Sequence, residues 1–320
     1  MSYAQYNLIE ATDYNGLVGT NPTTTSGQLN AVWSTGGGST GYGQTALATV
    51  TAGSAPGNIV SASSWANLVN TTSNSASHQG TSISSVTAPT TGDTIAYVAA
   101  IPSNLTTIYN SRLNAAVQGS TTPNAVTRLT AWSSALTFTH TITFSSGDHA
   151  RYFFNAGGQL AITCSHSNTT GSINQLWNGL ASNIGTVVLS STTSGSITIA
   201  STSYNGVTKI LGGGTSPTIN TNYGYYAYTT TPTSVFKQLA SGAGTYVNSF
   251  IEVIVNSNGT QGANSDRGSV ITIQTIWDEV PNGAIVASGS ITTVTIRPPA
   301  TTYLTNTWGT PTITGVVTGS

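Results

Sequence analysis

The chain has 320 residues, with 7 Lys or Arg, 8 Asp or Glu and a formal net charge of −1. Charged residues make up 5% of it, against ~25% in an ordinary soluble domain. So few cations exclude a protein that tracks nucleic-acid phosphates, the 38% hydrophobic content excludes a charged disordered tail, and no apolar run reaches the ~18–20 residues of a membrane span.

Hydroxyls fill the space left by charge: 58 Thr and 41 Ser. Thr with Val, Ile, Tyr and Phe is strand-forming chemistry, because β-branched and aromatic side chains fit a pleated, half-buried surface. The single cysteine, Cys164, has no internal disulfide partner. No basic, apolar, then small-residue leader opens the chain, so classical secretion is not signalled. A chain this poor in charge lacks the usual protection of a soluble monomer. Charge is also depleted in the cores of permanent interfaces. We therefore expect a component of a stoichiometric assembly. The alternative is a monomer kept in solution by its hydroxyls.

The predicted elements begin with an imperfect repeat. Ile9 to Val18 aligns with Val60 to Val69, with apolar or aromatic residues at matching places. Each copy reads as a short helix, capped by Thr12 or Ser63 and carrying Tyr14 or Trp65 on a sticky face. Gly36 to Gly43 reads as a loop, and Asn70 to Thr94 as polar loop or weak strand. Leu105, Ile108, Tyr109, Leu113, Ala116 and Val117 mark a third helix, capped by Ser103 and closed by Gly119. The region 1–125 is thus a helical docking and oligomerisation region.

From there the period changes. Leu136, Phe138, His140, Ile142 and Phe144 alternate with threonines, one face apolar and one hydroxyl. Gln159 to Ser167 alternates again. Ile173, Leu176, Trp177, Leu180 and Ile184 define an amphipathic helix between Ser172 and Gly185. Strands follow at Val187–Ser190, Ser196–Ala200, Val207–Leu211, Tyr223–Thr229, Val247–Asn256, Gly268–Asp278 and Ser290–Arg297, with turn residues between them, Gly262 to Asp266 among these. The fold class is mainly β: a jelly-roll-like β-sandwich body over 126–300, with 301–320 a Thr-rich tail that lies on a neighbouring subunit or hangs free.

The block Phe144-Ser-Ser-Gly-Asp-His-Ala-Arg-Tyr-Phe-Phe-Asn-Ala-Gly-Gly158 resembles a segment of virion structural proteins of tailed bacteriophages, marine and cyanobacterial phages among them. Asp13-Tyr14-Asn15, Gly41-Tyr42-Gly43-Gln44 and Trp65-Ala66-Asn67-Leu68 look like the same group. The residues of these four segments number 26 of the 320. The resemblance implies a non-enzymatic particle component of tail or neck, whose partners are copies of itself and other virion proteins, located in the virion. It fixes no ligand site. From the residues alone, Asn155 with Gly157 and Gly158 supplies turn backbone, Phe153 and Phe154 are both buried if that turn is tight, and Arg151 pairs with Asp148.

Catalytic motifs fail on context. Gly37-Gly38-Ser39-Thr40-Gly41 matches G-x-S-x-G, and Gly36 to Gly41 matches G-x-G-x-x-G, but neither has its strand, helix or acid. His140, His149, Cys164 and His166 lack metal-ligand spacing, so neither metal nor cofactor is expected. Asp278 and Glu279 point to opposite faces of a strand; Glu10, Asp13, Asp93, Asp148, Glu252 and Asp266 are far apart in sequence, which leaves a paired-carboxylate hydrolase as the weaker reading. Tyr14, Trp65, Tyr223, Tyr225 and Trp308 form the candidate contact surface, since aromatic rings with polar tips suit interface cores and sugar stacking alike. The rival functions are a carbohydrate- or receptor-binding tail-fibre adhesin, whose partner is a host surface glycan, and a capsid decoration protein. Neither nucleic acid nor membrane insertion is expected.

Overall fold

The structure is a computed structural model that describes residues 10–21, 25–50, 60–93, 95, 98–192, 194–241, 244–259 and 268–320. Ile9 of the repeat and the Gly262 to Asp266 joint lie outside the described residues. Four helices come first: α1 (Ala11–Val18), α2 (Leu29–Trp33), α3 (Ala62–Gln79) and α4 (Ala100–Asn110). Next come β1 (Thr122–Arg128), β2 (Ala135–Thr143), α5 (Gly147–Asn155), β3 (Gln159–His166), α6 (Ser172–Ile184) and β4 (Thr186–Leu189). The small strands β5 (Ile197–Ile199), β6 (Thr202–Tyr204), β7 (Val207–Ile210) and β8 (Thr218–Ile219) follow. The last long strands are β9 (Thr233–Leu239), β10 (Phe250–Ser257), β11 (Val270–Asp278), β12 (Ser290–Arg297) and β13 (Thr312–Gly319).

The strands form a five-stranded sheet, β1-β12-β3-β4-β7, and a six-stranded sheet, β13-β2-β11-β10-β9-β8, with β5-β6 a separate hairpin. The ladders are antiparallel, and the two larger sheets form the sandwich the alternation predicts. Period-two burial puts Leu136, Phe138, His140 and Ile142 of β2 inside, with Ile271, Ile273, Thr275 and Trp277 of β11 beside them. The Trp277 indole N–H donates to Thr292 Oγ1 of the other sheet at 3.1 Å. Helix α6 bridges the sheets, touching β3, β9 and β10. Its Trp177 sits between Trp132, at 4.9 Å between centroids, and Trp277, at 5.5 Å. The sandwich is present; the finer jelly-roll winding is not established by this strand order.

Several expectations need correction. The second repeat copy runs on through Asn70 to Gln79 as helix, not loop. Its N-cap is Ser61, not Ser63, and its far half buries Thr72, Ser75, Ala76 and Gln79. Thr72 stays satisfied by donating to the Leu68 carbonyl at 2.7 Å, which lets a Ser/Thr-rich segment remain helical. The first copy is capped by Glu10 in a reciprocal box with Asp13, not by Thr12. The third helix starts at Ala100 and ends at Asn110, so Ser103 is inside it; Leu113, Ala116 and Val117 lie beyond it, and the Gly119 N–H donates to the Pro298 carbonyl instead.

Tyr223 to Thr229 is not a strand. Tyr225–Ala227 is a single 3-10 turn. Gly224 lies against the Thr192 carbonyl so closely that no Cβ fits there, which fixes the chain in a bend. The tail is corrected too: β13 pairs with β2 along its length, from Thr312 opposite Thr143 to Gly319 opposite Leu136. Ile313 and Val317 face inward in alternation with exposed threonines. The helical region does not stand apart from the sandwich, because one apolar core runs continuously from Tyr14 to Trp308.

Candidate functional site

The structure places four of the five candidate contact rings inside the chain. Tyr14, Trp65, Tyr225 and Trp308 are buried, and Tyr223 is partly buried with its hydroxyl on Thr233 Oγ1 at 3.1 Å. The repeat explains the first two. Tyr14 and Trp65 meet each other, with centroids 6.3 Å apart, so the sticky faces of α1 and α3 satisfy one another. Tyr225 stacks on Phe154 at 4.3 Å and 16°. Trp308 is held by the segment whose Thr305 N–H donates to Gln44 Oε1 at 3.0 Å. These four rings build the interior of a single chain rather than an exposed face.

The Phe144–Gly158 block forms a junction between the sandwich and the glycine loop. Ser146 caps α5 by accepting from the His149 N–H at 3.1 Å. Arg151, 1% exposed, pairs with Asp148 at 3.1 Å and donates to the Thr40 carbonyl at 2.9 Å. The Asn155 amide reaches the carbonyls of Gly38, Thr40 and Gly41 at 3.0–3.2 Å. The Tyr226 hydroxyl shares its proton between Asn155 Oδ1 and the Gly38 carbonyl, the latter at 2.8 Å. Phe153 and Phe154 are both buried. The block is helix rather than tight turn, but its residues do serve backbone geometry. The overlapping G-x-S-x-G and G-x-G-x-x-G sequences lie between α2 and an irregular segment, and the three glycines of the latter serve this docking: Gly36, Gly38 and Gly41 take positive φ.

The histidines and Cys164 do not gather into one site, and the Nδ1 atoms of His140 and His149 are buried without a hydrogen-bond partner among the described residues. His140 Nε2–H donates to the Asn124 carbonyl at 3.2 Å, and burial pushes its pKa down to about 4. His166 lies between Ser290 Oγ and Asn174 Oδ1, at 3.1 and 3.3 Å, and burial lowers its pKa. Burial pushes the Cys164 thiol up to about 12, outside the range of a reactive thiolate. No group of three or more His, Cys, Asp or Glu suited to a metal occurs among the described residues.

The fold does bring two acids to one sheet face. Glu252 pairs across β9–β10 with Lys237, and Asp278 pairs with Phe250 two residues away. Lys237 Nζ sits 3.3 Å from the Phe250 ring centroid. Burial raises the Asp278 pKa, Lys237 lowers it and Glu252 raises it. This trio lies on the outer, partly exposed face of the six-stranded sheet. Glu279 is a turn acceptor for the Gly283 and Ala284 N–H groups, both at 3.1 Å.

A cleft of about 460 Å³ opens elsewhere, between the glycine loop, the end of α4 and the β5 approach. Gly38, Ser39, Arg112, Asn114, Ser196 and Tyr226 line it. Arg112 is tied to Ser39 O and Oγ at 2.7 and 2.8 Å and lies 4.6 Å from the Tyr109 ring centroid. Sequence reasoning missed this cleft, because its parts are loops far apart in the chain. No helix among the described residues is long and apolar enough to cross a membrane. No protein-family model matches the chain, and no curated protein or solved structure matches it either.

Proposed function

We propose that the chain is a non-enzymatic structural component of a tailed-phage virion, tail- or neck-associated, that assembles as a symmetric homo-oligomer. The observation that carries this reading is the scarcity of charge: 15 charged side chains in 320 residues, with one ion pair among the described residues, at α5. A surface built from hydroxyls and scattered apolar groups is an interface chemistry rather than a solvating one. Leu129, Leu211 and Ile285 are more than 70% exposed, three large side chains in water that a sister subunit would cover. The resemblance of Phe144 to Gly158 to a segment of tailed-phage virion proteins supports the same reading.

Contacts of this kind vary little with ionic strength. Light scattering coupled to sizing chromatography is expected to give one oligomer mass at 0.1 M and at ~1 M NaCl. A monomer at micromolar concentration in both buffers rejects the reading.

The polar cleft favours a second reading, a glycan-binding adhesin. Its hydroxyl, amide and guanidinium donors beside Tyr226 match a saccharide's demand for hydrogen bonds and a ring face. Ser196 is exposed at the cleft, and Ser196→Trp fills it. Glycan-array binding that Ser196→Trp abolishes supports the adhesin; binding unchanged in that variant rejects the cleft.

A further inference from the structure

The two larger sheets have four outer edges, β1 and β7 on one and β13 and β8 on the other. Exposed edges invite pairing with another chain, and proteins blunt them with shortness, proline or charge. Three edges here are blunted. β8 has two residues directly after Pro217. β7 has four residues and contains Lys209. β1 contains Pro123 and ends at Arg128. β13 follows Pro311 as β8 follows Pro217, but it is four times as long, and its eight residues, Thr-Ile-Thr-Gly-Val-Val-Thr-Gly, carry neither charge nor proline. No strand among the described residues pairs with its outer side.

We propose that β13 is a self-association edge, pairing antiparallel with β13 of a second copy across a two-fold axis. This rests on the reading that the chain assembles with itself. Several observations select a sister chain as the occupant. Antiparallel pairing of one strand with itself is isologous, so each residue meets a residue of the same strand. A charge near the middle would meet its like; β13 has no charge to repel, and its Thr and Val side chains are favourable cross-strand neighbours. β1 packs over β13, with Val126 and Asn124 against Gly315, so the two-fold also brings the two β1 strands together. Arg128 lies at the end of β1, where antiparallel pairing separates it from its copy.

Exposed apolar groups continue the surface. Ser320, just past β13, accepts from the Ser133 and Ser134 N–H groups. The loop of Ser133 also carries Leu129, and Trp132 bridges to Val286, next to exposed Ile285. An eight-residue strand offers about 27 Å of edge. The apolar end of the sandwich adds area toward the ~1,200 Å² of a stable interface. The product is a sheet that runs unbroken from one subunit into the next.

The test uses the full chain and Val316→Lys, which sets like charges near the two-fold on a side chain that is 57% exposed. Thr314→Lys repeats it at a second exposed site, and Thr218→Lys at the opposite edge of the same sheet is the control. Light scattering over 1–100 μM and hydrogen exchange of amides 312–319 are the readouts, with far-UV dichroism confirming folding. We expect a tenfold or greater loss of self-affinity in both β13 variants, none in the control, and the alternate β13 amides that point away from β2 protected in the wild type only where it is associated. An oligomer that both β13 variants leave intact overturns the edge and leaves the homo-oligomer reading standing. A wild type that is monomeric throughout overturns both. Protection of the outward-pointing amides of 312–319 in such a monomer identifies an occupant from the chain itself.

Discussion

The α5 junction and the β13 edge treat polar groups in opposite ways. At α5 the chain places its ion pair and surrounds it with acceptors: Arg151 on Asp148 and Thr40, Asn155 on three loop carbonyls, Tyr226 on both. Along β13 it places no charge and leaves one row of backbone groups without a partner among the described residues. A buried charge specifies one arrangement and is costly in any other. An uncharged edge is permissive and waits for a strand. The ion pair at α5 thus fixes an interior junction, while the β13 edge carries no charge at all.

The largest effect that tests this contrast is at Phe154, stacked on Tyr225 and touching Phe144 and Phe153. Phe154→Ala is expected to destabilise the fold by about 4 kcal/mol, measured as a urea-unfolding midpoint shift. Arg151→Met follows, at about 3 kcal/mol, the low end for breaking a buried pair because the Asp148 side chain is 34% exposed and recovers water. A loss below ~0.5 kcal/mol would mean that the junction does not depend on its ion pair.

The third expectation concerns His78, whose Nε2–H donates to the Ala156 carbonyl just past α5. Burial depresses its folded-state pKa to about 4, below the ordinary value of 6.5. The unfolded chain therefore binds the proton first. The stabilisation is complete above pH ~6.5, falls as pH drops through the range between the two values, and levels off below pH ~4. Between pH 7 and pH 5 this group alone removes about 2 kcal/mol. His78→Gln, which keeps a donor but does not titrate, is expected to flatten the pH dependence of the urea midpoint. The smallest folding effect is at the other pole of the comparison: Val316→Lys is expected to change monomer stability by less than ~0.5 kcal/mol, in contrast to its effect on association.

The sandwich was legible in the sequence wherever one face is apolar and the other hydroxyl, as in Leu136 to Phe144 and Val270 to Asp278. That alternation is a direct consequence of the pleat. β13 was hidden because its Thr-rich sequence, broken by Gly315, reads as a tail rather than a two-faced strand, yet Gly315 is what lets Val126 and Asn124 pack over it. The second half of α3 was hidden for a different reason. Its Ser and Thr disfavour helix intrinsically, and only the tertiary burial of Thr72 and Gln79 overrides that preference. The candidate rings were recognised as anchors but not assigned a side, since a tyrosine that needs an apolar body and a polar tip behaves alike in a core and at an interface. The cleft at Arg112 was invisible because nothing local marks the meeting of Ser39, Asn114 and Ser196.

The clasp between Gln44 and Thr305 sets a timetable for synthesis. These partners are 261 residues apart along the chain. At ~5–20 residues per second, the glycine loop leaves the ribosome on the order of tens of seconds before the segment that fastens it. Throughout that interval Gln44 and the Tyr42 carbonyl lack their Thr305 and Thr307 partners, so a holding chaperone has time to act before the two distant pieces close.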